Sequence, residues 1–282
     1  MVQLPGGVYI DGSLKRDFNF KPITGLLELE LNECATQVSQ HPELTYSEQV
    51  TNVLCQALDL LAGKKVTKKR VKELSVGDRQ FLMRHLAIHI DNALVWMSAK
   101  CGECSESFDI SLRYSELPVK PAGNKFPETI IETELGKLKV RVPNGLDQEF
   151  VATVDNDEEA TVILLKRLVS HAANKSTDAV VDISSLKKEQ IALIEEAIEQ
   201  MAPEVATEVL AECPHCDTGN RVPVNPYVCM ERSDQNLFTE VHTLASCYHW
   251  NEHEILAMTR RRRHIYLGLI DRGRNMASNN NI

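Results

Sequence analysis

The apolar positions of this chain change period several times, and each change marks an element. Residues 1–35 carry Pro5, Gly6 and Gly7, then DFNFKPITGLLELELNEC, where apolar and polar residues alternate. Alternation at period two predicts extended structure, so this region is read as an extended N-terminal arm. From Thr45 the spacing becomes helical. Val50, Val53, Leu54, Ala57, Leu58 and Leu61 repeat at that spacing, and Thr45 with Glu48 has the separation of a capping box. Gly63 is the expected end of that helix. A basic run, KKVTKKRVK, leads to a second helix over 77–90 that turns Phe81, Leu82, Leu86 and Ile90 inward. Residues 36–93 are thus a helical N-terminal region.

LVWMSAKCGECSESFDISL then reads as strand, tight turn and strand, and TEVLAECPHCDTGNRVPV repeats that design with 108 residues between Cys104 and Cys213. Between them lie a proline-bearing connection, a hairpin around ETELGKLKVRVPNG and two helices. The first helix, from about Asp157 to His171, has acidic residues in its first turn, where the helix dipole favours them. The second, from about Leu186 to Met201, gathers Ile191, Ile194, Ala197, Ile198 and Met201 on one face and stops at Pro203. The C-terminal part is again helical, with Leu237, Val241, Leu244, Ala245 and Tyr248 in register. Trp250 and Ile255 form a hydrophobic staple around a capping box of Asn251 and Glu254.

The cysteines turn this pattern into an architecture. Zn²⁺ takes four thiolates tetrahedrally, and a two-residue gap lets both sulfurs of one turn face one ion. Cys101, Cys104, Cys213 and Cys216 therefore predict one structural Zn²⁺ in a ribbon interrupted by an inserted segment. Four thiolates fill the shell and leave no position for a catalytic water. Binding in such sites reaches about 10–16 kcal/mol in zinc-finger peptides and is linked to folding. A redox Cys-x-x-Cys is expected at a helix N-terminus, whereas both of these turns lie between strand-like segments. Cys34, Cys55, Cys229 and Cys247 have no partner at ligand spacing and read as core or half-buried thiols. The expected fold class is α+β: mainly helical lobes around a discontinuous zinc ribbon (94–117 and 207–226), with an inserted α/β domain at 118–206. A C-terminal helical region (227–273) and a flexible tail (274–282) complete it.

With 43% apolar and 25% charged residues the chain has the composition of a globular protein. It has no apolar run of the roughly 18 residues that a membrane span requires. The N-terminus lacks the basic-then-apolar pattern of a secretory signal, so a reducing cytoplasm is the expected compartment. A net charge of −9 disfavours general nucleic-acid binding. Arg260 to Arg263 are the exception. Four consecutive arginines radiate around a helix, so they cannot all face one partner. A salt-bridging helix end, a docking surface for an acidic protein and a nucleic-acid contact are the three readings, in that order.

Rival chemistry is thin. His85 and His89 are four apart on a predicted helix, the spacing for a shared metal, but HLAIH lacks the glutamate that a metalloprotease uses as its base. Helix-face histidines explain them better, and a hydrolase built on them is the enzyme alternative. His242, His249 and His253 straddle a helix start and need not converge. DNDEE at 155–159 lacks the ligand alternation of an EF-hand. There is no Walker loop, Rossmann fingerprint or Gly-x-Ser-x-Gly elbow.

Several stretches together resemble a known family. DFNFKPITG, LSVGDRQFLMRHLA, the CGEC knuckle followed by FD and LPV, RVPNGLDQE, CPHC and VHTLASCYHWNEHEILAMTRRRRHIYLGLI are similar to the baseplate hub assembly proteins of T-even-type contractile phage tails and related contractile injection particles. The segment from His242 to Ile270 is the most specific part. The resemblance implies a non-enzymatic structural or assembly component of a tail baseplate, within a large multi-protein assembly and in contact with hub, spike, tube or wedge proteins. It makes the arm with Phe18 and Phe20, the helix around Trp250, and Arg260, Arg261, Arg262 and Arg263 the expected partner contacts. An extended arm can add a strand to a neighbour's sheet edge.

Overall fold

The structure, a computed structural model, describes residues 2–36, 44–134, 136–172, 181, 183, 186–231 and 235–279, with side chains as far as 273. Among them are ten α-helices and several small sheets, a mixed α and β architecture. Strands β1 (Val8–Ile10) and β2 (Ser13–Lys15) form a hairpin, followed by β3 (Phe18–Phe20) and helices α1 (Gly25–Thr36) and α2 (Tyr46–Ala57). Next come β4 (Leu58–Leu61), β5 (Lys64–Lys65), α3 (Lys68–Glu73) and α4 (Val76–Ile90). Thr45 and Glu48 make the expected capping box on α2. That helix ends at Ala57 rather than near Gly63, because β4 pairs antiparallel with β3 and β5. Gly63 (φ +69°) serves the β4–β5 turn instead.

The expected extended arm over 1–35 is corrected on two counts. Residues 25–35 are helical, and the segment before them is anchored on the core at Leu4, 1% exposed, and at Phe18 of β3, 8% exposed. The alternation that suggested extended structure arises because α1 is clasped from two sides. Leu27 and Leu31 enter the first core, with Val53, Leu54, Leu82 and Leu86, while Leu29 packs against the C-terminal core. Full burial of each such leucine is worth about 1.5–3 kcal/mol.

The chain continues through β6 (Val95–Lys100), β7 (Ser107–Leu112), β8 (Val119–Lys120), β9 (Glu128–Thr133), β10 (Gly136–Arg141), α5 (Gly145–Val151), α6 (Asp157–Leu168) and β11 (Val169–His171). It then forms α7 (Lys188–Met201), β12 (Glu204–Val205), β13 (Glu208–Glu212) and β14 (Gly219–Pro223). The β9–β10 hairpin, extended by β11, is one antiparallel sheet. Leu138 and Val140 project from it onto Leu165, Ile194 and Met201 to make a second core. The first inserted helix stops at Leu168, because Val169–His171 join that sheet. Where the insert leaves and returns, β8 and β12 pair antiparallel and close its neck.

Helices α8 (Gln235–Tyr248), α9 (Glu252–Ala257) and α10 (Arg260–Asn279) surround a third core of Leu237, Val241, Leu244, Ile255, Leu256 and Ile270. The Asn251–Glu254 capping box is present on α9. The expected flexible tail at 274–282 is helical through Asn279, and 280–282 lie outside the described residues. No helix among the described residues is long and apolar enough to cross a membrane.

The joint between these parts is the first turn of α4. Ser75 caps the helix, and its neighbour Asp78, fully buried, accepts hydrogen bonds from the Gly6 and Gly7 amides (2.8 and 3.0 Å) and from the Ser75 hydroxyl (2.7 Å). Burial pushes the Asp78 carboxyl above the ordinary range, against the pull of these donors and of Arg16. Arg79, also fully buried, donates to Gln148 Oε1 (2.9 Å), Thr51 Oγ1 (3.0 Å) and the carbonyls of Val71 (3.2 Å) and Ser47 (2.8 Å). Behind it, buried Asp147 is gripped by Arg141 (2.6 Å) and Arg167 (2.9 Å), which hold its carboxyl low despite its burial. Three glycines permit this convergence. A Cβ on Gly6 would strike Asp78, on Gly145 the Arg79 guanidinium, and on Gly77 the Pro203 carbonyl. The Gly77 obstacle is backbone, which cannot swing aside. Gly77→Ala is therefore expected to cost about 1–3 kcal/mol, read as a lower urea midpoint at unchanged slope.

Candidate metal centre

Each cysteine turn is built by the same backbone path. The Cys101 amide donates to the Glu106 carbonyl and the Cys213 amide to the Thr218 carbonyl, both at 2.9 Å. Ser105 and Asp217, the residues after each second cysteine, take left-handed φ values of 61° and 57° and donate back to the Cys101 and Cys213 carbonyls (3.1 and 2.9 Å). The hairpins β6–β7 and β13–β14 carry these turns and face one another across Met97, Ala99, Phe108, Ile110, Val209, Ala211 and Val222. Tyr114, Leu117 and Val224 then seat the pair against Ile88 of α4.

That packing brings the four sulfurs within 4.8 Å of one another. Cys101 and Cys216 are 3.6 Å apart, and Cys104 and Cys213 are 3.7 Å apart. Tetrahedral bonds of about 2.3 Å place ligand sulfurs about 3.8 Å apart, whereas a disulfide needs about 2.05 Å. All four are free thiols. Their proton affinities are uneven. The Cys104 and Glu103 amides hold the Cys101 thiol down to about 6, and the Thr218 hydroxyl and amide lower Cys216. Cys104 accepts the Glu106 amide, which lowers it, yet burial and the thiols of Cys216, Cys101 and Cys213 push it up to about 12. Four thiolates repel one another unless a cation sits between them. The donor set and its spacing fit a soft, tetrahedral divalent ion. Among the described residues this is the one cluster of three or more His, Cys, Asp or Glu side chains that could hold a metal.

Asn220 braces the centre. Its amide nitrogen reaches Cys101 Sγ (3.6 Å) and the Thr218 carbonyl (2.7 Å), and its carbonyl accepts from the Gly102 amide (3.0 Å). One side chain thus ties the two turns together, as supporting groups around metal ligands do. No spacing rule in a single sequence marks this asparagine.

The other candidates are dispersed. His85 lies 4.2 Å from the Phe81 ring and 6.3 Å from that of Phe18, where burial, reinforced by Arg84, lowers its pKa to about 4. His89 stacks on Phe20 at 5.4 Å. Each imidazole packs on aromatic rings, so the hydrolase reading gains no support. Phe18 is part of the core and Phe20 is half-buried, which corrects the expectation of Phe18 as a surface contact. Trp250 stacks on Tyr248 (4.6 Å) and meets Tyr266 edge-on (4.8 Å). The arginine run divides. Arg263 is fully buried between Glu28 and Glu240, and Arg260 pairs with Glu28 (2.9 Å) and Asp91 (3.3 Å). Arg261 and Arg262 face solvent. Arg263 is therefore a structural tie rather than a partner contact.

The fold and site define a mixed α and β protein of several cores, joined by buried polar ties and by a four-cysteine cluster at the base of an insert. The chain matches the family described as T4 bacteriophage base plate protein over residues 13–225 and belongs to that family. The match contains all four cysteines and the α4 joint. It stops before 242–270, so membership rests on the chain from β2 through the second cysteine hairpin, insert included, rather than on the arginine helix. No curated protein and no solved structure matches the chain.

The split of the arginines yields a graded expectation. Arg263→Ala should cost about 3–5 kcal/mol by stranding buried carboxylates. Arg262→Ala should stay within about 0.5 kcal/mol. Paired denaturation curves of the two variants measure the difference.

Proposed function

We propose that this protein is a non-enzymatic structural or assembly component of a contractile-tail baseplate, in contact with hub, spike or wedge proteins and held in shape by one structural Zn²⁺. The observation that carries the reading is the family match over 13–225. Zinc is the ion proposed because four thiolates at tetrahedral spacing suit it and complete its shell, which leaves the metal a folding role. When bound, it neutralises the thiolates and locks the two hairpins. Cys101, Cys104, Cys213 and Cys216 hold it, and Asn220 orients Cys101. The proposed partner surface is the rim of Trp250 with the neighbouring outer face of α10, where Arg261 and Arg262 are open to another baseplate protein or to a second copy of this chain. With two of the four arginines turned inward and a net charge of −9, nucleic-acid binding has little to stand on.

Elemental analysis of chelator-free protein is expected to return one zinc per chain, and Cys101→Ser or Cys216→Ser to lose it along with cooperative unfolding. Wild-type protein without zinc would overturn the metal assignment. Disrupting the gene is expected to abolish intact, contracting particles. Normal particle yield in its absence would remove the baseplate role, independently of the metal result.

A further inference from the structure

We propose that the outer face of α10 docks on the outer face of α7 of a second copy of this chain, in a head-to-tail interface. Opposite the side of α10 that carries Arg263 and Ile270 inward runs a strip of Arg261, Ile265, Leu269 and Arg272, with Arg262 beside it. Ile265 and Leu269 are 54% and 46% exposed, so this face has an apolar centre that nothing in the monomer covers. On α7, the side opposite Ile194 and Met201 presents Glu189, Leu193, Glu196 and Gln200, with Glu199 beside them. Leu193 is 49% exposed there. With Ile131 and Glu196 it borders a groove of about 440 Å³, on whose rim Lys125 is the one cation among the described residues.

The two strips are complementary in charge and in length. Each spans twelve residues, about 17 Å from first to last, with Ile265 and Leu269 flanked by arginines on one and Leu193 flanked by glutamates on the other. Their exposure shows that the chain does not mate them to each other, and their matching length and opposite charge select the α7 of another copy as the proposed occupant. A nucleic acid would meet the arginines but gain nothing from Ile265 and Leu269. Because the two faces are different surfaces, a single such contact leaves an α10 face open on one copy and an α7 face on the other, so the proposed head-to-tail contact propagates into a ring or a filament. The inference rests neither on the metal nor on the tail assignment, so its failure leaves both standing.

Sedimentation velocity on the full chain tests it. Wild-type protein is expected to exceed its 31.7 kDa monomer mass as concentration rises, and to fall back as salt is added. Ile265→Asn with Leu269→Asn, or Leu193→Asn with Glu196→Gln, should each weaken association by roughly tenfold or more. An equimolar mixture of the two variants should recover a complex that stops at one copy of each, since each retains one intact face. In wild-type protein, hydrogen exchange should slow at 189–200 and 261–272 together as concentration rises. A wild-type monomer throughout, variants that associate as the wild type does, a silent mixture, or protection confined to one helix would each overturn the proposal.

Discussion

The fold depends on two adjacent charges buried in the first turn of α4 without being spent on one another. Asp78 is satisfied by the Gly6 and Gly7 amides and the Ser75 hydroxyl, and Arg79 by carbonyl, amide and hydroxyl oxygens from α2, α5 and the end of α3. A buried charge held by neutral dipoles tolerates little displacement, because every lost hydrogen bond leaves desolvation uncompensated. The N-terminal segment, α2, α3 and the base of the insert are thereby fixed relative to one another. Glycine at 6, 77 and 145 follows from the same constraint, since each stands where backbone or a charged group must approach closely.

Around that joint the chain is organised as one principal core, which α1, α2 and α4 share, and several smaller ones. The insert is closed at its neck by β8 and β12 and beyond it by the cysteine turns. The C-terminal helices are tied back by the Thr24–Thr259 bridge, by hydrogen bonds from the Gly25 amide to the Met258 carbonyl and from the Arg260 amide to the Ile23 carbonyl, and by Arg263 between Glu28 and Glu240. Polar ties of this kind specify orientation, whereas apolar burial supplies the bulk of the stability. That division suits a component whose outer faces must be presented at fixed angles to neighbours.

Much of this was legible in the sequence, and the misses share a cause. Both capping boxes, the two cysteine hairpins, the β9–β10 hairpin and the inward faces of α4 and α7 followed from local rules, because local hydrogen bonding and periodicity decide them. Helix α1 was misread because a helix held between two cores carries apolar residues on two sides, and its pattern then imitates a strand. The partition of the arginine run could be expected in kind, but which two turn inward depends on Glu28 and Glu240, distant in sequence and without a spacing signal. The same holds for Asn220 at the cysteine cluster.

The discontinuity of the cysteine set has a consequence for how the molecule comes into being. The first turn leaves the ribosome carrying two sulfurs, and its complement is translated only after the 108 intervening residues. A polypeptide that ends early, or is cut and loses its distal part, has half of the four-cysteine cluster. The finished cluster is thus a record, written in four sulfurs, that the insert has been made in full and folded back upon itself.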